Sequence, residues 1–112
     1  MRLDARCFIV VGVIIATGLL RVGAAEASPD ALVAGAQRAE AALDTPRALE
    51  LYLAADRARP NDAFILQKIA RQHSDLIPDR KDTAGRAALA KTALSYAERA
   101  VALQDRKSTR LN

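Results

Sequence analysis

His73, the only histidine of the chain, stands beside Ser74 and Asp75, and Asp79 and Asp82 follow in the next stretch. An imidazole, a hydroxyl and three carboxylates could hold a metal, activate a nucleophile or bind calcium. Each chemistry asks for more than is there. A structural or catalytic zinc set needs further imidazoles or thiolates, and the single Cys7 lies far away in a segment expected to be removed. A calcium loop needs a central glycine and a distal glutamate. Here Arg80 and Lys81 stand among the carboxylates instead, which describes a solvated charged loop. Ser74 is one residue from His73 and points elsewhere on a helix, so the two form no nucleophile pair. Gly35 and Gly85 are isolated, and Gly12, Gly18 and Gly23 lie near the start, so no phosphate-cradling loop is formed. The pattern assigns no catalytic, cofactor-binding or metal residue and points away from an enzyme. His73 reads as a partly buried packing residue between helices.

The elements that must position these residues are helical. The 112 residues leave room for one domain at most. Aromatic residues make up only 4% and alanine is abundant, a composition of closely packed helices. A first helix is expected from Pro29 to Leu43, with Ser28 as N-cap and an apolar stripe of Leu32, Ala36, Ala39 and Leu43. Asp44-Thr45-Pro46 is the turn, with Thr45 capping a second helix that runs to Ala58. Its inner face is Ala48, Leu49, Tyr52, Leu53 and Ala55. Pro60-Asn61-Asp62 ends it, and Asp62 caps a third helix from Ala63 to Ile77. Pro78 to Asp82 breaks the pattern, and a fourth helix runs from Thr83 to Leu103.

These helices repeat. Leu32, Ala36, Ala39, Ala48, Tyr52, Ala55 and Pro60 fall at positions 4, 8, 11, 20, 24, 27 and 32 of one 34-residue unit, 29–62. Leu66, Ile69, Ala70 and His73 take positions 4, 7, 8 and 11 of a second unit, 63–104, and Ala93, Ala97 and Ala100 take positions 20, 24 and 27 after an insertion of 11 residues near 78–82. This spacing resembles the tetratricopeptide repeat. The resemblance implies an all-α fold of antiparallel helix-turn-helix units, about four helices at the start of an α-solenoid, and a surface that holds an unidentified protein or peptide. Two blocks of the second unit, from Leu66 and from Ala93, look like the regulator-of-microtubule-dynamics family and its bacterial relatives, from which only the architecture carries over.

The two ends read differently. Arg2 and Arg6, the apolar run 8–20 and the small residues around Ala25 and Ala27 describe a secretory signal peptide over 1–27, with its own helix. The run is short for a spanning helix; an uncleaved signal anchor is the alternative. Export to the periplasm or medium is therefore expected, with inner-membrane anchoring if the segment is retained. At the other end, 105–112 reads as the conceptual translation of a sequencing adapter, an artefactual tail on a fragment. Three of the 17 Lys and Arg residues lie before Ser28 and three in the tail, against Asp4, Glu26 and Asp105 among the 13 acidic ones; the +4 of the whole chain shrinks to +1 over 28–104. That balance gives no reason to expect nucleic acid or an anionic membrane. Three functions follow in order: an exported interaction scaffold, a signal-anchored structural accessory, and a fragment of a larger enzyme. Leu94, Val101 and Leu103 on the fourth helix form an apolar edge through which the chain could self-associate.

Overall fold

A computed structural model of the chain describes residues 27–111. The expected signal segment up to residue 26 lies outside the described residues. All regular structure among the described residues is α-helical: α1 Pro29–Ala41, α2 Thr45–Ala58, α3 Ala63–Asp75 and α4 Thr83–Leu111. Each helix packs on its neighbour in the chain, α1 on α2, α2 on α3 and α3 on α4.

Each helix begins where a side chain takes up its unpaired N–H groups. Ser28 accepts from the Ala31 N–H at 3.2 Å, with Pro29 as the first helical residue. Asp62 accepts from Phe64 and Ile65 at 3.0 and 3.3 Å. Asp82 accepts from Gly85 at 2.7 Å, and the bond holds its carboxyl below the usual range. The second cap corrects the sequence expectation. Asp44, not Thr45, accepts from Arg47 at 3.2 Å, and Thr45 is already helical. A carboxylate at this position answers both the free N–H groups and the positive end of the helix dipole.

The first helix also stops earlier than expected. Its end is closed by the Asp44 N–H on the Ala39 carbonyl and the Leu43 N–H on the Glu40 carbonyl, both at 2.9 Å. This paired closure requires a left-handed residue, and Leu43 supplies it at φ 58°. Leu43 therefore leaves the apolar stripe and is 89% exposed. Asn61, at φ 62°, turns the chain between α2 and α3.

The third helix ends at Asp75, two residues early, in turns closed by Ile77 N–H on Ser74 O and Arg80 N–H on Ile77 O. The fourth overruns its expected end at Leu103 and reaches Leu111. No proline or glycine follows Gly85 to stop it. The 11-residue insertion is divided between two places. The connector 76–82 is four residues longer than its counterpart 42–44, and seven residues lengthen the start of α4.

The core lies where α1, α2 and α3 meet. Ala36, Ala39, Ala48, Tyr52 and Ala55 enclose Ile65 and Ile69. Four alanines on two facing helices let the backbones approach, and Tyr52 fills the space between them. Ile65, Leu66 and Ile69 are at most 1% exposed, each contributing roughly 1.5–3 kcal/mol by burial. At the open end, the Arg59 guanidinium reaches Asp30 at 2.7 Å and ties the end of α2 to the start of α1.

Candidate functional site

Among the described residues, one carboxylate gathers side-chain donors from two other helices. Glu40, on the last turn of α1, accepts from the Tyr52 hydroxyl at 2.7 Å, the Gln72 amide at 2.7 Å and the Lys68 ammonium at 3.0 Å. These donors come from α2 and α3. Tyr52 must face inward because Ala48 and Ala55 share its buried stripe, and its hydroxyl then needs an acceptor. Lys68 and Gln72 are four residues apart on α3 and so lie on one face. Burial raises the Glu40 carboxyl, but the hydrogen bonds from Tyr52 and Lys68, with the charges of Lys68 and Arg71, outweigh it and hold the group below its ordinary range. Burial and the bond to Glu40 in turn push the Tyr52 hydroxyl well above its ordinary value. A carboxylate this fully supplied with donors is a clamp across three helices, not a general base. Lys68 also lies 5.7 Å from the Phe64 ring centre.

The second polar feature joins α3 to α4. His73 stacks on Tyr96 with ring centres 5.8 Å apart and planes 15° from parallel. The Arg99 guanidinium lies 5.3 Å from the Tyr96 ring centre. His73 Nδ1 is buried without a hydrogen-bond partner, and desolvation lowers the imidazole pKa. Ser74 is exposed beside it. Asp75 pairs at 3.9 Å with Arg71, and Asp82 at 3.3 Å with Arg80 while capping α4. Among the described residues, no three His, Cys, Asp or Glu side chains stand close enough to hold a metal ion.

Of the residues that mark the repeat, Ala36, Ala48, Tyr52, Ala55, Leu66, Ile69, Ala70, Ala93 and Ala100 are buried. Leu32, His73 and Ala97 are partly buried, and Pro60 is exposed in the turn after α2. The Glu40 clamp was not foreseen from the sequence. The inward-facing Tyr52 hydroxyl was the signal that could have pointed to it, because it demands a partner.

The third feature is a surface. Ala70 and Ser74 of α3, Ile77 in the turn after it, and Ala90, Ala93, Leu94 and Ala97 of α4 line a shallow groove of about 350 Å³, with Arg71 also in its lining. Leu94 is 59% exposed in it, and Val101, one turn beyond Ala97 on the same face, is 54% exposed. Apart from Ser74 and Arg71, the lining is of small and aliphatic side chains. Among the described residues, no helix is long and apolar enough to cross a membrane.

Comparison of the chain with protein-family profiles, with curated proteins and with solved structures finds no match in any of the three.

Proposed function

We infer that this chain is an exported interaction scaffold of tetratricopeptide-like repeats that holds a protein or peptide partner. The observation that supports it is the repetition itself. α1 and α3 are both 13 residues long and begin 34 residues apart, each capped by a short polar side chain. Helices that repeat in this way stack to form continuous surfaces, and such surfaces bind. The open groove along α3 and α4 and the half-exposed Phe64 on α3 supply apolar contact area rimmed by charge. The charged start and short apolar run at 1–27 support export.

The test is crosslinking in the living cell. A photoreactive residue is placed singly at Phe64, Leu94 and Val101 of the full chain, and exported and membrane fractions are analysed by mass. A recurrent protein adduct outside the cytoplasm is expected. Adducts from none of the three positions, or a chain retained in the cytoplasm, would reject the scaffold.

A further inference from the structure

The groove between α3 and α4 repeats, in sequence and in its place between successive helices, the groove between α1 and α2 on which α3 packs. A shift of 34 residues lays Ala36 on Ala70, and a shift of 45 lays Ala48 on Ala93 and Leu49 on Leu94. In the first groove, Ile65 and Ile69 of α3 are buried among Ala36, Ala48, Tyr52 and Ala55. In the second, Ala70, Ala93 and Leu94 line open space.

Two replacements set the chemistry of what fits there. Tyr52 becomes Ala97, which removes the ring that fills the first groove and leaves room for a larger incoming side chain. Glu40, which holds Lys68 in the first groove, becomes Ser74, and Gln37 becomes Arg71. Arg71 is 70% exposed and pairs with Asp75 at 3.9 Å, and its charge also acts on Glu40. The second groove thus lacks the Glu40 carboxylate and gains an exposed guanidinium, with Asp75 beside it. The occupant must bring bulky apolar residues and an acid where α3 brings Lys68.

The first helix of a second copy does not meet that description. The helix that repeats α3 is α1, and it carries Ala31 and Gly35 where α3 carries Ile65 and Ile69, with Ala34 where α3 carries Lys68. It offers neither the large side chains nor the acid.

We propose that the α3–α4 groove docks one amphipathic helix of a partner protein, with large aliphatic residues at i and i+4 and an acidic residue at i+3, seated as α3 is seated on α1 and α2. This rests on the scaffold reading and specifies its partner. A helix laid in an apolar groove and read through anchors at these spacings is a recurrent mode of recognition.

The probe is a labelled synthetic peptide of residues 62–76 carrying Lys68→Glu, titrated against the purified full chain by fluorescence anisotropy. Saturable one-to-one binding is expected. Adding Ile65→Ala and Ile69→Ala to the peptide should weaken it at least about ten-fold, as loss of two apolar anchors requires. Leu94→Asp in the protein should weaken it as much, with the helical circular dichroism unchanged because Leu94 is mostly exposed. If that variant misfolds, the peptide pair on the unaltered chain still decides. Absence of saturable binding would overturn the proposal, and so would binding indifferent to the two isoleucines. A dimer of the chain alone that Leu94→Asp dissociates would give the groove to a second copy instead. Cellular crosslinks from Phe64 without any from Leu94 would overturn the groove and leave the scaffold standing.

Discussion

The Tyr52 hydroxyl donates to Glu40 Oε2 at 2.7 Å, across 12 residues and from one helix to the next. The same carboxylate receives Lys68 and Gln72 from α3, so the Tyr52–Glu40 pair is where three helices are fastened. The ring is fully buried. Tyr52→Ala should therefore cost about 3–5 kcal/mol. Tyr52→Phe keeps the ring and removes one donor from a charged acceptor, at about 1.5–3 kcal/mol. Denaturant unfolding of both variants checks the order; equal, small losses would place the ring outside the core.

Acid should loosen the fold in two stages. The folded-state pKa of His73 is lowered by desolvation below its ordinary 6.5, so the unfolded chain takes up the proton first. Its contribution is complete above about pH 6.5 and is lost as pH falls toward the folded value. Glu40 is also depressed, below its ordinary 4.5. Its contribution is present above that value and is lost as pH falls through the folded pKa. His73→Phe keeps a ring against Tyr96 and removes the first stage only. Melting temperatures from about pH 7 to about pH 3 should show an upper decline in the parent chain that is missing in the variant.

Two backbone positions are open to improvement. Leu43 holds φ 58° with its side chain in solvent, a conformation that costs a residue with a Cβ about 1–2 kcal/mol. Leu43→Gly should stabilise the chain by about 0.5–1 kcal/mol after the added flexibility of the unfolded chain is offset. Gly35 is the reverse case. It sits inside α1 with helical backbone, and an added Cβ would meet Leu51 Cδ1 at 3.4 Å, an ordinary contact. Gly35→Ala should add about 0.5–1 kcal/mol. Calorimetry reads both; a lower melting temperature for either would contradict the geometry assigned to it.

The last part of α4 should be dispensable. Residues 104–111 are helical yet exposed throughout, and an unburied helix end contributes little. Deleting 105–112 should leave the melting temperature within about 2 °C, since less than about 0.5 kcal/mol is at stake. Trypsin should cut first at Arg106, Lys107 and Arg110, then at Lys81 in the exposed connector. Slow cleavage at the former sites, or a large drop in stability on deletion, would show that this stretch is packed.

The periodicity of alanine and leucine sufficed for four helices, because small residues at helical spacing admit few other arrangements. Ser28 and Asp62 were legible as caps because the helix register on either side left no rival. At the second helix Asp44 and Thr45 were rivals, and only the carboxylate's reach to the Arg47 N–H separates them. Leu43 was misplaced because a leucine in sequence counts as apolar, whereas the turn needed its backbone. The Glu40 clamp depends on the register between helices that are not neighbours in the chain. A glutamine such as Gln72, 2% exposed here, is ordinarily a surface residue. The extra length of α4 is not legible in the sequence because a helix without a stop signal ends only where packing or solvent makes it end.

The helices pack in chain order, and that has a kinetic consequence. Contacts between chain neighbours form after the closure of short loops, so most of this fold can assemble quickly. The bond from Gln72 to Glu40 spans 32 residues and joins helices that are not successive. Its long sequence separation is expected to make it close late, after α2 has docked on its neighbours. Severing it should therefore leave the folding rate nearly unchanged and let the native chain come apart faster. The lifetime of the folded state, and not the speed of its formation, would then be set by Glu40.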